Sequence, residues 1–283
     1  MSAPAVLRDR ALALVFVVRD RDVFLAFIAG LLVAICLRDP ADGLLSQLSA
    51  DLFREHSGIG AGELLALAVL GTLAFRFHGE SLLTRSDLAV VAVASLFFAI
   101  PSLRAASIPL TLVGAKLIFG SDARVRSFGQ ILLALAFYEW LGPFIFHLLS
   151  PSVLEAETIA VQAVLTPIGG FARDGLMISP GGDYNLVIDE GCSAFHNVSL
   201  ASLICISLVK LETLTLRPAH LWICAAMAAA TVALNTARLA LMAQSYPMYL
   251  FWHNGAGTPI VSIAMLGAML IICLGGLRLM AKP

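Results

Sequence analysis

The chain has 283 residues, of which 59% are hydrophobic and 13% charged, with a net charge of −1 and a mean hydropathy of +0.91. A soluble domain carries about 25% charged residues, so a soluble enzyme, a disordered chain and a nucleic-acid binder with a basic footprint are excluded. What remains is a polytopic membrane protein.

A bilayer core needs roughly 20 apolar residues in a row, about 17–25 in practice. The patch Ala11–Val18 suits a helix lying in the membrane interface. Eight longer runs follow: Asp22–Leu37, Gly60–Phe77, Leu88–Leu103, Ala105–Gly120, Phe128–Leu149, Cys192–Val209, Pro218–Ala237 and Thr258–Leu277. The first is flanked by Arg19-Asp20-Arg21 and has no small-residue cleavage site, so it reads as a span and not as a cleavable signal. The third and fourth nearly touch at Leu103-Arg104-Ala105 and predict a tight helical hairpin. In the fifth, Glu139 lies mid-span between Tyr138 and Trp140, where an ionisable group is costly and a functional suspect; Lys116 of the preceding run could pair with it, or a protonated Glu139 could bond a backbone carbonyl. The expected fold is therefore all-α, with about eight transmembrane helices.

Lys and Arg accumulate on the cytoplasmic side of a membrane protein. With the N-terminus inside, twelve lie on the cytoplasmic face, against five outside: Arg38, Arg54, Arg104, Arg173 and Arg238. Both termini are thus expected in the cytoplasm, in a multi-pass plasma-membrane protein, with the long polar segments Arg38–Ile59 and Ser150–Gly191 outside. Three stretches make up one integrated membrane domain: residues 1–149 with the tail and spans one to five, the extracytoplasmic segment 150–191, and residues 192–283 with the last three spans. In the middle stretch, Ser152–Leu165 has the pattern of a short helix resting on the outer surface. Next, Leu176–Ser179 and Tyr184–Ile188 flank Pro180-Gly181-Gly182-Asp183, which predicts a β-hairpin leading directly into Asp189-Glu190-Gly191-Cys192.

Five cysteines cannot form a complete set of disulfides, and four of them sit inside apolar runs as small buried hydrophobes. Cys192 alone lies at the edge of a run. Counted from the short loop Lys210–Arg217, Cys192 is about 18 residues up one span and Arg238 about 21 up the next, or roughly 27 and 31 Å at helical rise. Both reach the outer surface, and so does His253 in the following loop. A cysteine, a cation and a candidate base at one depth suit nucleophilic catalysis. A thiol placed at a helix start and beside a cation is expected to ionise more readily, with Asp189 and Glu190 opposing this unless one of them orients His253 or Arg238. Arg238 would stabilise an oxyanion, Asn235 one turn earlier would position the group, and His196, one turn after Cys192, competes with His253 as the base. No Cys/His grouping has metal-ligand spacing and no Gly-rich phosphate loop follows a strand, so no metal or other cofactor is expected.

Glu190-Gly191-Cys192-Ser193-Ala194, then Asn235-Thr236-Ala237-Arg238, then His253-Asn254-Gly255-Ala256-Gly257 resemble the three ordered motifs of the exosortase/archaeosortase family. Those motifs run Cys-Ser-Gly, Asn-x-x-Arg, and His ahead of a Gly. Ala194 departs from the usual Gly, and His196 departs from the expected pattern. The resemblance covers roughly residues 169–276 and implies a thiol protease or transpeptidase with Cys192, Arg238 and His253 as catalytic residues. It also implies exported substrate proteins of the PEP-CTERM kind, ending in a short motif, a transmembrane helix and a basic tail. The acceptor, water or an amine, is not encoded in the nucleophile. The alternative is a non-catalytic transporter or assembly subunit for exopolysaccharide export, with Glu139 and Lys116 lining a path.

Overall fold

A computed structural model describes residues 20–36, 60–76, 83–100 and 103–281. The interfacial patch Ala11–Val18 and the outer segment from Arg38 to Ile59 lie outside the described residues. In chain order the helices are α1 Asp20–Cys36, α2 Ala61–Phe75, α3 Arg85–Ser95 with a tight turn Leu96–Ala99, α4 Leu103–Leu117, α5 Ala123–Ala136 and α6 Gly142–Leu165. Three short strands follow, β1 Ala172–Asp174, β2 Met177–Ser179 and β3 Leu186–Val187. After a 3-10 turn at Glu190–Cys192 come α7 Phe195–Glu212, α8 Pro218–Met242, α9 Tyr246–His253 and α10 Gly257–Ala281.

The protein is a helical membrane protein, but the count of eight spans is not met. Among the described residues four helical segments are long and apolar enough to cross a bilayer: the α5–α6 rod, α7, α8 and α10. The first four apolar runs form shorter helices, of 17, 15, 11 and 15 residues for α1 to α4. The third and fourth do form a hairpin. Its break comes earlier than expected, as Ile100 is extended ahead of Pro101, the conformation a following proline favours. Lys116 pairs elsewhere than with Glu139: its ammonium lies 3.4 Å from the Asp87 carboxylate and closes the α3–α4 hairpin.

Residues 123–165 form one continuous rod of 43 residues, about 64 Å at helical rise and twice the bilayer core. The expected surface helix is therefore the far end of the fifth span and not a separate element. Two prolines shape the rod. Pro143 cannot donate to the Glu139 carbonyl, and the turn Phe137–Leu141 widens to a π-helical turn in which Gly142 N–H bonds Phe137 O. Pro151 likewise leaves the His147 carbonyl without its helical donor, and Ser150 Oγ donates to it at 3.2 Å.

The predicted hairpin is present, with β2 and β3 paired antiparallel in the register Met177↔Val187 and Ile178↔Leu186. Gly181 and Gly182 in its turn have φ of 84° and 92°, a region open mainly to glycine. β1 was not anticipated. It pairs with β2 through Asp174↔Met177, across a turn in which Gly175 has φ 57°. Alternation along the hairpin buries Ile178, Leu186 and Ile188 against Val161 and Leu165 of α6 and Leu239 and Met242 of α8. Cys192 is part of this same packed cluster. At the opposite end of the bundle three donors tie down the last turn of α7 and the α7–α8 loop. Lys210 and Ser127 both bond Leu214 O, and Arg76 bonds Leu211 O.

Candidate active site

The turn that carries Cys192 is held from several sides. Asp189 caps it, accepting the Cys192 N–H on its side-chain oxygen at 3.1 Å. Asn235, buried at 1% exposure on α8, donates Nδ2 to the Cys192 carbonyl at 2.8 Å. Glu157 on α6 accepts from Ser193 Oγ at 2.9 Å and from Ala194 N–H at 2.8 Å. Helix α7 begins only at Phe195, so Cys192 lies in the 3-10 turn before the helix and does not open it.

One turn along α8 from Asn235, Arg238 donates Nε to the Trp252 carbonyl at 3.0 Å, which fixes it beside His253. The His253 ring stacks on Tyr249 at 4.9 Å between centroids. Thr258 Oγ1 donates to the His253 carbonyl at 2.8 Å and pins the α9–α10 turn. That turn needs glycine for a steric reason: a Cβ on Gly257 would come within 2.6 Å of the Trp252 ring and 2.8 Å of Phe251 O. The structure thus brings Cys192, Asn235, Arg238 and His253 to one end of the bundle through two hydrogen bonds and one turn of α8.

The electrostatics run against the expectation of an ionised thiol. Cys192 is 3% exposed, and burial, reinforced by the Asp189 carboxylate, pushes its thiol up to about 12. The Arg238 charge pulls the other way and does not prevail. Tyr184 is also pushed up to about 12, by burial first and then by Tyr249 and Cys192. Burial raises Tyr249 as well, aided by Cys192 and Asp189. At neutral pH the Cys192 thiol is therefore in its neutral form. No family model, no curated protein and no solved structure matches this chain.

The side chains of two expected supporting residues engage other partners. Glu190 pairs with His147 of α6 at 3.3 Å and orients neither Arg238 nor His253. His196 points to α5–α6, where its Nε2 is 3.1 Å from the Tyr138 hydroxyl and the two rings pack at 4.9 Å. It thereby joins α7 to the π turn. Glu157 was not singled out by sequence reasoning, although a signal was present. It shares the i, i+3, i+4, i+7 face of Leu154, Thr158, Val161 and Leu165, all buried, while Glu155 on the other side is exposed. Among the described residues no group of three His, Cys, Asp or Glu side chains is arranged to hold a metal ion.

Proposed function

We propose that this chain is a membrane-embedded thiol peptidase or transpeptidase of the exosortase/archaeosortase kind, acting on C-terminal sorting signals of exported proteins. The reading rests on the connection from the Cys192 carbonyl to Asn235, along α8 to Arg238, and on to Trp252 next to His253. Cys192 meets Asn235 across 43 residues and Arg238 meets Trp252 across 14, and the residue types are those that acyl transfer requires.

In this reading His253 accepts the Cys192 S–H proton as sulfur attacks the scissile carbonyl carbon. Arg238 holds the negative charge that develops on the carbonyl oxygen, a role its permanent cation suits. The C–N bond then breaks, the leaving amine takes the proton from His253, and a thioester remains on Cys192. Water or an amine then attacks the thioester carbonyl, the C–S bond breaks, and His253 carries the proton from that nucleophile to the departing Cys192 sulfur. A thiol near 12 at rest is compatible with this cycle because no thiolate has to persist. It also keeps the nucleophile inert until a substrate is in place. In this reading, following the positive-inside rule, the site faces the extracytoplasmic side of the bacterial inner membrane and both termini lie inside. The substrate's transmembrane helix and basic tail would then follow the same rule.

The test is processing of a tagged substrate with a short motif, one span and a basic tail, in cells carrying the wild-type chain or Cys192→Ala. Cleavage by the wild type and none by the variant supports the proposal. Equal cleavage by both removes it. The burial and neutrality of Cys192 favour a second reading, a non-catalytic assembly subunit in which the thiol is a packing residue. That reading predicts that Cys192→Ala keeps full exopolysaccharide export and that no thioester accumulates under any condition.

A further inference from the structure

We infer that Glu157 is a positioning residue for Cys192, acting through Ser193. The inference rests on the thiol-peptidase reading for its purpose but not for its geometry. Glu157 is buried at 9% exposure near the far end of the α5–α6 rod, beyond the length a bilayer core requires. One carboxylate oxygen, Oε1, accepts both the Ser193 hydroxyl and the Ala194 N–H. Ser193 Oγ in turn accepts the Phe195 N–H at 3.2 Å, so the side chain joins Glu157 to the first turn of α7. The two bonds from Glu157 fix the residues immediately after Cys192, while Asp189 and Asn235 fix Cys192 itself.

An acid in this place is costly unless it does something a neutral residue cannot. Its second oxygen, Oε2, is buried and has no hydrogen-bond partner among the described residues, a state that costs free energy in any folded protein. An apolar residue at 157 would fill the same gap between α6 and the turn without that penalty. What it would not supply is an acceptor for two donors at once. Without that acceptor, the Ser193–Ala194 backbone is free to rotate. The Cys192 carbonyl then leaves Asn235, and the thiol leaves the packed pocket that it shares with Tyr249 and Leu239. The serine of the Cys-Ser pair is explained on the same grounds: its hydroxyl both donates to Glu157 and accepts from Phe195 N–H, which neither Ala nor Val can do.

The decisive measurement is the rate at which a haloacetamide alkylates each cysteine of the purified full chain in detergent, followed by mass spectrometry across pH. Cys224, half-buried, and Cys205 and Cys273, buried in the seam of α7, α8 and α10, report on the rest of the bundle. Glu157→Ala is expected to raise the Cys192 rate about tenfold and to move its pH profile toward that of an ordinary thiol, as water enters the turn. Cys205, Cys224 and Cys273 should keep their wild-type rates. Glu157→Gln keeps an acceptor oxygen for both donors and should stay within about threefold of wild type. Ser193→Ala, which leaves the α6 side chain in place, is expected to raise the Cys192 rate several-fold and serves if Glu157→Ala does not fold.

Unchanged Cys192 labelling in both Glu157→Ala and Ser193→Ala would overturn the inference. So would faster labelling of Cys192, Cys205, Cys224 and Cys273 together, the mark of general loosening. Substrate processing is read in parallel. Loss in Glu157→Ala with retention in Glu157→Gln extends the role to catalysis, and equal loss in both variants would contradict a purely geometric role. If Cys192→Ala still processes substrate, the peptidase reading fails, and the labelling result decides the placement of Glu157 independently.

Discussion

Replacing Asn235 tests whether the Cys192 turn depends on α8. The side chain is almost wholly buried and gives one hydrogen bond, from Nδ2 to the Cys192 carbonyl at 2.8 Å, while its Oδ1 has no partner among the described residues. Asn235→Ala leaves the Cys192 carbonyl without a donor in a packed environment, at about 1–3 kcal/mol. Part of that is returned because the unpartnered Oδ1 is also removed, so a net loss of about 1–2 kcal/mol is expected. Asn235→Asp is close in size yet should be worse. It replaces the donor with a carboxylate oxygen facing a carbonyl oxygen, and it buries a charge whose desolvation costs several kcal/mol. Acidification that protonates the introduced carboxyl returns an O–H donor, so the deficit of this variant alone should shrink as pH falls. The assay is thermal unfolding in detergent at pH 5 and pH 8, with Cys192 alkylation as the local probe. Equal stability of Asn235→Asp and wild type at pH 8 would refute the reasoning, because the bond to Cys192 would then carry no weight.

Further outcomes follow from the same geometry. Because the Cys192 thiol is pushed up to about 12, its alkylation rate should keep rising with pH up to pH 10 with no plateau. Asp189→Asn removes the negative charge that raises the thiol yet keeps a capping oxygen, so more thiolate forms at each pH and the rate should increase several-fold; no increase would show that burial alone sets the thiol. Gly257→Ala forces a methyl into the Trp252 ring and Phe251 O, with an expected loss of about 1–3 kcal/mol in a thermal shift. Gly267→Ala, where nothing lies within 4 Å of the new methyl, should be neutral or stabilising by about 0.5–1 kcal/mol. Equal melting temperatures for these two variants would contradict the close packing of the α9–α10 turn.

How far the amino-acid sequence could be read differs from element to element. Hydropathy identified a helical membrane protein, since a long apolar run has one stable state in a bilayer. The β2–β3 hairpin was legible because Pro180-Gly181-Gly182-Asp183 permits a turn that few other tetrapeptides allow. The meeting of Asn235, Arg238 and Cys192 was legible because two helices joined by a short loop must be antiparallel, so counting residues from the loop sets their depth. Three features were not accessible in this way. The extent of the α5–α6 rod depends on how the chain accommodates Pro143 and Pro151, through a widened turn and a serine hydroxyl, and periodicity does not encode either. Lys116 chose Asp87 over Glu139, and Glu190 chose His147, because an ion pair is decided by side-chain reach across packed helices and not by shared depth.

The thiol itself marks the limit most clearly. By type and position, Cys192 was expected at a helix start beside a cation, with a depressed pKa. The fold places it one turn ahead of α7 instead, inside the cluster made by the hairpin, α6 and α8. There the loss of hydration and the Asp189 charge outweigh Arg238. Residue identity and spacing determined which groups arrive at this end of the bundle. Only tertiary packing decided how much water reaches them, and hydration is what sets the charge of a buried thiol and the need for Glu157 to hold it in place.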